Sequence, residues 1–164
     1  MHENRQANHL GAFWTLLDRR MERVLDGLSR SAGAALLTLR YRGPLTTTAL
    51  SRIVGLSQPA CARLVDKLVK DGLVTKFPRK SGKEVDLWLS RAGRRQADEL
   101  QQRRLRAQEE LLAGLAPAER TAFAGIVGKL LARDDEADGA DASLCRFCDR
   151  DLCEAGHCPR ADLT

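Results

Sequence analysis

The fold of this chain is decided by residues 45–89, LTTTALSRIVGLSQPACARLVDKLVKDGLVTKFPRKSGKEVDLWL. Up to about residue 70 the apolar side chains recur at steps of three and four, which is the spacing of amphipathic helices. Gly55 permits a tight turn within this run, and Ser57 is a good N-cap for a helix that follows. We therefore expect two short helices, Thr47–Val54 and Gln58–Asp71, joined as a helix-turn-helix.

After Gly72 the period of the pattern changes from 3.6 to two. Residues 73–77 and 85–89 have the composition and alternation of short strands. The segment between them, residues 78–84, is charged and contains a glycine, as turns often do. We therefore expect a β-hairpin with a basic tip directly after the helix-turn-helix.

The two short helices are expected to have one apolar side and one polar side. Their shared interior is predicted to contain Leu50, Ile53, Leu56, Cys61, Leu64, Val65 and Leu68. The side chains left largely outside it are Gln58, Ala60, Ala62, Arg63 and Lys67. Small residues at the start of the second helix would let its backbone approach a DNA major groove closely. Gln58 could then pair with base edges, and Arg63 and Lys67 could reach bases or phosphates.

Cys61 is expected to be a small core residue rather than a redox thiol, because it lies three and four residues before Leu64 and Val65 on the apolar side.

More helices are expected on both sides of this segment. They run from about residue 5 to Ser29, from a cap at Ser31 to just before Gly43-Pro44, from Arg91 to about Leu115, and onward from Pro117. Ser90 is a good N-cap for the third of these. The predicted fold class is therefore mainly α with a small β-hairpin wing, a winged helix-turn-helix framed by N-terminal and C-terminal helices.

Charge is distributed unevenly along the chain. The whole chain carries a formal net charge of +5, but residues 44–95 carry +7 and residues 134–164 carry −6. A basic middle segment is typical of a phosphate-binding surface, and it is also compatible with a solvated face that has no partner. No apolar stretch approaches the ~18 residues that a membrane span needs, so we expect no membrane association and a cytoplasmic location.

Two motifs give this chain a resemblance to a known family. Residues 56–74, LSQPACARLVDKLVKDGLV, and residues 87–94, LWLSRAGR, resemble the MarR family of bacterial regulators. The resemblance covers roughly residues 10–133. It implies a winged helix-turn-helix protein that binds double-stranded DNA at pseudo-palindromic operators as a homodimer. It also implies a role in transcription, expected here to be repression, that responds to a small-molecule effector or to cysteine oxidation.

The resemblance also implies a division of the chain and a set of DNA-binding residues. Residues 1–30 and 91–133 would supply the dimerisation helices, and residues 31–90 the DNA-binding domain. The family's recognition-helix positions fall on Ser57, Gln58, Ala60, Ala62 and Arg63, and its wing positions fall on Arg79, Lys80 and Lys83. The wing departs from the family's usual Asp-x-x-Asp-Arg-Arg tip, so the side chain that would enter the minor groove is not assigned.

The C-terminal part is expected to consist of an acidic linker, residues 134–144, and a Cys-rich tail, residues 145–164. Four of the five cysteines lie within fourteen residues, as Cys145, Cys148, Cys153 and Cys158. Zn²⁺ binds four thiolate or imidazole ligands, and a Cys-x2-Cys turn supplies two of them, so zinc is the expected occupant. His157 could replace Cys153 or Cys158. Redox thiols or disulfides, an iron–sulfur cluster and an unliganded tail stay open as alternatives.

The charge of the tail argues against direct contact with DNA. Residues 145–158 carry a net charge of −1, and four thiolates on Zn²⁺ would add −2 more, so phosphates would repel the module. We expect the tail to pack on the protein or to act as a sensor.

Two other classes of function are conceivable for a chain with these features. One is a metal-binding or redox-sensing interaction module in which the winged helix is a platform for proteins. The other is an enzyme, which we do not expect, because the sequence has no phosphate-binding loop and no nucleophile motif. Its three histidines, His2, His9 and His157, also lie outside the expected core.

Overall fold

The computed structural model describes residues 2–79, 84–132, 142–149 and 152 of the 164-residue chain. The elements in chain order are α1 (His2–Leu25), α2 (Arg30–Arg42), α3 (Thr47–Val54), α4 (Gln58–Lys70), β1 (Val74–Pro78), β2 (Val85–Leu89), α5 (Arg91–Leu112), α6 (Pro117–Ala132) and a short 3-10 helix (Ala142–Cys145). This order confirms the predicted class, a mainly α fold with one β-hairpin.

The boundary between α1 and α2 differs from the sequence prediction. Helix α1 ends at Leu25 rather than Ser29, because Asp26 and Gly27 both adopt positive φ angles, 48° and 85°, which a right-handed helix excludes. Ser29 is thereby left extended, and its hydroxyl oxygen accepts a hydrogen bond from the Ala32 amide at 3.1 Å. The cap of α2 is therefore Ser29, and the prediction that Ser31 caps it was wrong.

Helix α2 is the centre of the hydrophobic core. Every residue from Ala32 to Leu39 is buried, and α2 packs against α3, α4, α5 and β2. The largest fully buried side chains around it include Leu36, Leu50 and Leu100. Such a core of Leu, Val and Ala residues places the helix-turn-helix on a rigid support.

The β-hairpin is joined to the core at its base. Strands β1 and β2 are antiparallel, with Val74 opposite Leu89 and Phe77 opposite Asp86. Leu87 is fully buried, and its amide donates to the Leu45 carbonyl oxygen at 2.8 Å, which adds one bridge from the segment before α3. The wing is therefore fixed to the same lobe as the helix-turn-helix.

The first and last long helices bury little within a single chain. Among its described residues, α6 has none that is buried. Leu10, Trp14, Ile126 and Leu130 are each more than half exposed. None of the helices in the described residues is long and apolar enough to span a membrane.

Candidate nucleic-acid interface

The turn between α3 and α4 has the geometry that its sequence predicts. Gly55 ends α3 in the left-handed conformation, with φ 74° and ψ 39°, a region that glycine enters without a steric penalty. The amides of Gly55 and Leu56 both donate to the Ser51 carbonyl oxygen, at 3.0 and 2.9 Å. Ser57 caps α4, since its hydroxyl oxygen accepts from the Ala60 amide at 3.4 Å. The hydroxyl of Ser57 therefore has a structural partner at the N-terminus of α4.

The inner side of the helix-turn-helix matches the predicted interior. The members that the structure buries fully are Leu50, Cys61, Val65 and Leu68, while Ile53, Leu56 and Leu64 are half-buried. The Cys61 Sγ lies 3.7 Å from the Thr47 carbonyl oxygen, and burial raises the pKa of its thiol. A buried thiol that stays protonated is poorly reactive, and the prediction that Cys61 is a core residue is confirmed.

The outer side of α4 presents most of the predicted recognition residues. Gln58, Ala62, Arg63 and Lys67 are exposed, and Ala60 is half-buried. Among the described residues, neither Arg63 nor Lys67 forms an ion pair. Their cationic groups are therefore available for a partner outside this chain.

Gln58 is the recognition residue with a partner of its own. Its Nε2 donates to the Thr48 Oγ1 at 3.3 Å, which links the first turn of α4 to α3. Its amide keeps one further N–H and the carbonyl oxygen for a base edge. The hydrogen bond orients the side chain rather than removing it from the surface.

The described arginine of the predicted basic tip is paired with acidic side chains of the wing itself. Arg79 Nε lies 2.7 Å from Asp86 Oδ1, and Arg79 Nη1 lies 3.1 Å from Glu84 Oε2. The two carboxylates leave these three side chains with a combined charge of −1. Lys80 and Lys83, the other predicted wing contacts, lie outside the described residues.

The acidic partners of the basic residues were not predicted from the sequence. Lys76 Nζ of β1 lies 2.7 Å from Asp66 Oδ1 on α4, so this pair connects the recognition helix to the wing. For Arg79, the register of the hairpin would have indicated the ion pairs. A hairpin that pairs Phe77 with Asp86 also brings Arg79 close to the acidic side chains at the start of the second strand. The Lys76–Asp66 pair depends on the packing of β1 against α4, which no local pattern predicts.

The wing and α5 meet at a close backbone contact. The Ser90 hydroxyl donates to the Gly72 carbonyl oxygen at 2.6 Å and accepts from the Gly93 amide at 3.0 Å. A Cβ on Gly93 would lie 2.0 Å from the Leu73 carbonyl oxygen. The absence of a side chain at Gly93 therefore permits the approach that sets the wing's position.

The first part of the Cys-rich tail lies against the same lobe. The 3-10 helix packs on α3, and the Cys148 amide donates to the Cys145 carbonyl oxygen at 3.0 Å. Both thiols are half-buried, and within the described residues neither forms a disulfide. In the described part of the chain, no three His, Cys, Asp or Glu side chains are arranged to hold a metal ion, and Cys153, His157 and Cys158 lie outside the described residues.

Part of the chain is similar to a known protein family. Residues 26–83 match the model of the MarR family. No curated protein matches the chain in sequence.

Several solved structures share the fold. A MarR family protein from Bacillus stearothermophilus is similar over 79% of this chain and 93% of its own, with 23% identity and a TM-score of 0.71. The YusO protein from Bacillus subtilis is similar over 80% and 95%, with 19% identity and a TM-score of 0.70. MepR, a transcription regulator of the Staphylococcus aureus multidrug efflux pump MepA, is similar over 80% and 95%, with 13% identity and a TM-score of 0.64.

The segment that matches the family model begins directly after α1 and includes α2, α3, α4 and β1, and the similarity to the solved structures extends to the flanking helices. On these two findings, residues 26–83 are similar to the MarR family, and the chain has the fold of the solved winged helix structures.

Proposed function

We propose that this protein is a sequence-specific regulator of transcription that binds double-stranded DNA as a homodimer and represses. The observation that carries the proposal is the outer side of α4, where Arg63 and Lys67 are exposed and form no ion pair within the described residues. The small side chain of Ala62 lies next to them, so the N-terminal part of α4 could approach the major groove of DNA closely. The similarity of residues 26–83 to the MarR family model supports the same conclusion.

The roles within the interface follow from side-chain chemistry. Arg63 is the proposed base-reading residue, because a guanidinium can donate two parallel hydrogen bonds to guanine. Lys67 lies one helical turn further along α4 and is proposed to contact phosphate. Arg79 is proposed to contact the minor-groove backbone only after it leaves its carboxylates, which lowers its expected contribution.

We propose that the exposed apolar sides of α1 and α6 are buried against a second copy of this chain. Trp14 is 66% exposed and Ile126 is 57% exposed, and burying side chains of this size is worth about 1.5–3 kcal/mol each. Two copies joined through these helices would present two α4 helices, which suits a pseudo-palindromic operator. A particle of twice the 18.1 kDa chain mass in sedimentation equilibrium is the expected result.

We propose that a small-molecule effector binds in the space between α1, α5 and α6. The structure has a cavity of about 550 Å³ there, which is within the range of small-molecule sites. Its lining is apolar apart from one amide: Phe13, Leu17, Leu111, Leu112, Leu115, Phe123, Val127 and Gln108. An effector of this site would be largely apolar and would shift the dimer between geometries with different operator affinities.

The Cys-rich tail is proposed to bind zinc. Cys145 and Cys148 lie at the two ends of a hydrogen-bonded turn, and a Cys-x2-Cys spacing can supply two zinc ligands. Metal analysis and visible absorption of freshly purified protein test this proposal, with Cys145→Ser/Cys148→Ser as the matched control. Zinc in the parent protein and its loss in the control are expected. A colourless, zinc-free parent with four titratable tail thiols would refute it.

Selection of bound DNA from a random duplex pool tests the proposed function. We expect enrichment of one pseudo-palindromic motif whose half-sites are separated by about 10 base pairs or a multiple of that spacing. Recovery of unenriched DNA would contradict the proposal and would favour the alternative in which the winged helix is a protein-binding platform.

A further inference from the structure

Residues 142–149, which we call the docking segment, are anchored on the helix-turn-helix lobe by two neighbouring residues. Arg146 provides a carbonyl oxygen that accepts a hydrogen bond from the Thr38 hydroxyl at 3.4 Å. Phe147 provides a ring that packs against the hydrophobic core. Thr38 is only 3% exposed and lies in α2. The docking segment therefore reaches the interior of the lobe rather than its surface alone.

The Phe147 ring lies in a corner where three helices of the core meet. A Cβ on Gly33 of α2 would lie 3.6 Å from Phe147 Cε1. The same Cβ would lie 2.5 Å from Leu25 Cδ2 at the end of α1 and 3.3 Å from Leu100 Cδ2 of α5. The Arg146 Cζ lies 5.7 Å from the centre of the Phe147 ring. The ring is thus held between the core and its own neighbour in the chain.

The two ends of the docking segment also contact the lobe. The Tyr41 hydroxyl, near the end of α2, is hydrogen-bonded to the Asp149 side chain. At the other end, the 3-10 helix packs on α3. The docking segment therefore connects α2 to α3, which is the first helix of the helix-turn-helix.

Helix α3 is short and depends on its packing partners. It has eight residues, and isolated helices shorter than about 12–15 residues are marginal in water. Its packing partners include α2, α4 and β2 along with the 3-10 helix of the docking segment. Loss of the docking segment should therefore loosen α3 more than it loosens the long helices.

The position of α3 bears directly on the recognition helix α4. Thr48 Oγ1 accepts a hydrogen bond from Gln58 Nε2 at 3.3 Å. The Ser51 carbonyl oxygen accepts from the Leu56 amide in the turn at 2.9 Å. Both bonds connect α3 to residues at or just before the start of α4, so a displacement of α3 would disturb the orientation of Gln58.

From these contacts we propose that the docking segment is a strap that holds α3 in place and thereby fixes the first turn of the recognition helix. The C-terminal tail is then required for full operator affinity without contacting DNA. The effect on DNA rests on the proposed function, whereas the restraint on α3 does not.

Amide hydrogen exchange of the full chain measures the restraint without DNA, because exchange of a hydrogen-bonded amide reports the local opening of its helix. Every sample contains the same reductant. Phe147→Ala should raise the exchange rates of the α3 amides by about tenfold, within the usual range for coupled sites. The rates of α6, which lies outside the lobe, should not change. Thr38→Val leaves the tail sequence intact and should raise the α3 rates by less.

Leu152→Ala is the matched control, because Leu152 is a large apolar residue of the same tail but is 63% exposed. Its α3 exchange should equal that of the parent. Unchanged α3 exchange in both Phe147→Ala and Thr38→Val would overturn the proposal. An equal rise in α3 and α6 would also overturn it, because Phe147 would then support the whole fold rather than α3. If Phe147→Ala does not fold, Thr38→Val and Phe147→Leu decide, with a smaller rise expected in α3 alone.

Fluorescence anisotropy with the selected operator tests the consequence for DNA binding. Phe147→Ala should bind at least about fivefold more weakly than the parent, and Leu152→Ala should match the parent. Equal affinities of Phe147→Ala and the parent would overturn the role of the docking segment in DNA binding. A parent protein that binds no operator would contradict the proposed function instead, and hydrogen exchange would still decide the restraint on α3.

Discussion

Replacing Gly93 by alanine should destabilise the junction between the wing and α5. The new Cβ would lie 2.0 Å from the Leu73 carbonyl oxygen, whereas ordinary contact begins at 3.4 Å. The two backbone segments would have to separate by about 1.4 Å on this comparison. The obstructing atom belongs to the backbone, so no side-chain rotation relieves the overlap.

The expected cost follows from three contributions. Overpacking a tight site costs about 1–3 kcal/mol. The displaced Leu73 carbonyl oxygen also accepts from the Ser90 amide at 2.9 Å, and weakening that hydrogen bond costs up to about 1 kcal/mol. Alanine recovers about 0.5–1 kcal/mol of helix propensity relative to glycine. The midpoints of these three ranges combine to a net loss of about 2 kcal/mol in the free energy of unfolding.

Urea denaturation followed by far-ultraviolet circular dichroism measures this change, at one protein concentration for all variants. Gly11→Ala is the control, because a Cβ at Gly11 in α1 would meet nothing within 4 Å. That variant should be as stable as the parent or more stable by up to about 1 kcal/mol. If Gly93→Ala is as stable as the parent, the reasoning about the close approach is refuted.

Three further predictions address the wing, the single tyrosine and the buried thiol. Asp86→Asn should release part of the Arg79 guanidinium for phosphate, so the slope of log affinity against log salt should steepen by about 0.9 per protomer in an anisotropy titration; an unchanged slope contradicts this. Burial, together with the charge and hydrogen bond of Asp149, raises the pKa of Tyr41 to about 12 from 10.0. Folding thus favours the neutral phenol, so the stability that it contributes is present below pH 10 and is lost as the pH rises toward 12. Absorbance at 295 nm reports this titration, because Tyr41 is the one tyrosine of the chain. A titration midpoint near 10 would refute the prediction. Cys61 should not react with a thiol reagent in native protein whose four tail cysteines are replaced by serine, and reaction without denaturant would contradict its burial.

Features set by neighbouring residues were predictable from the sequence. The caps Thr46, Ser57 and Ser90 and the left-handed Gly55 act within three or four residues of the chain, so their effect is visible in a local pattern. The apolar interior of the helix-turn-helix was predictable for the same reason, because periodicity alone assigns residues such as Cys61 and Leu68 to one side.

Features that depend on competition or on distant contacts were not predictable. Ser29 and Ser31 are equally good caps, and the choice between them depends on the backbone of Asp26 and Gly27. The Arg79 ion pairs require the strand register. The docking of Phe147 requires a corner built by α1, α2 and α5, more than a hundred residues earlier for two of these helices.

The central claim, that the outer side of α4 reads DNA, is tested most directly by the affinity of Arg63→Ala for the selected operator. Fluorescence anisotropy compares this variant with the parent and with Arg106→Ala, whose side chain is exposed on α5. We expect Arg63→Ala to lose about 1–3 kcal/mol of binding free energy and to relax the sequence preference at one position of each half-site. Arg106→Ala should match the parent. Unchanged affinity and unchanged preference for Arg63→Ala would contradict the claim.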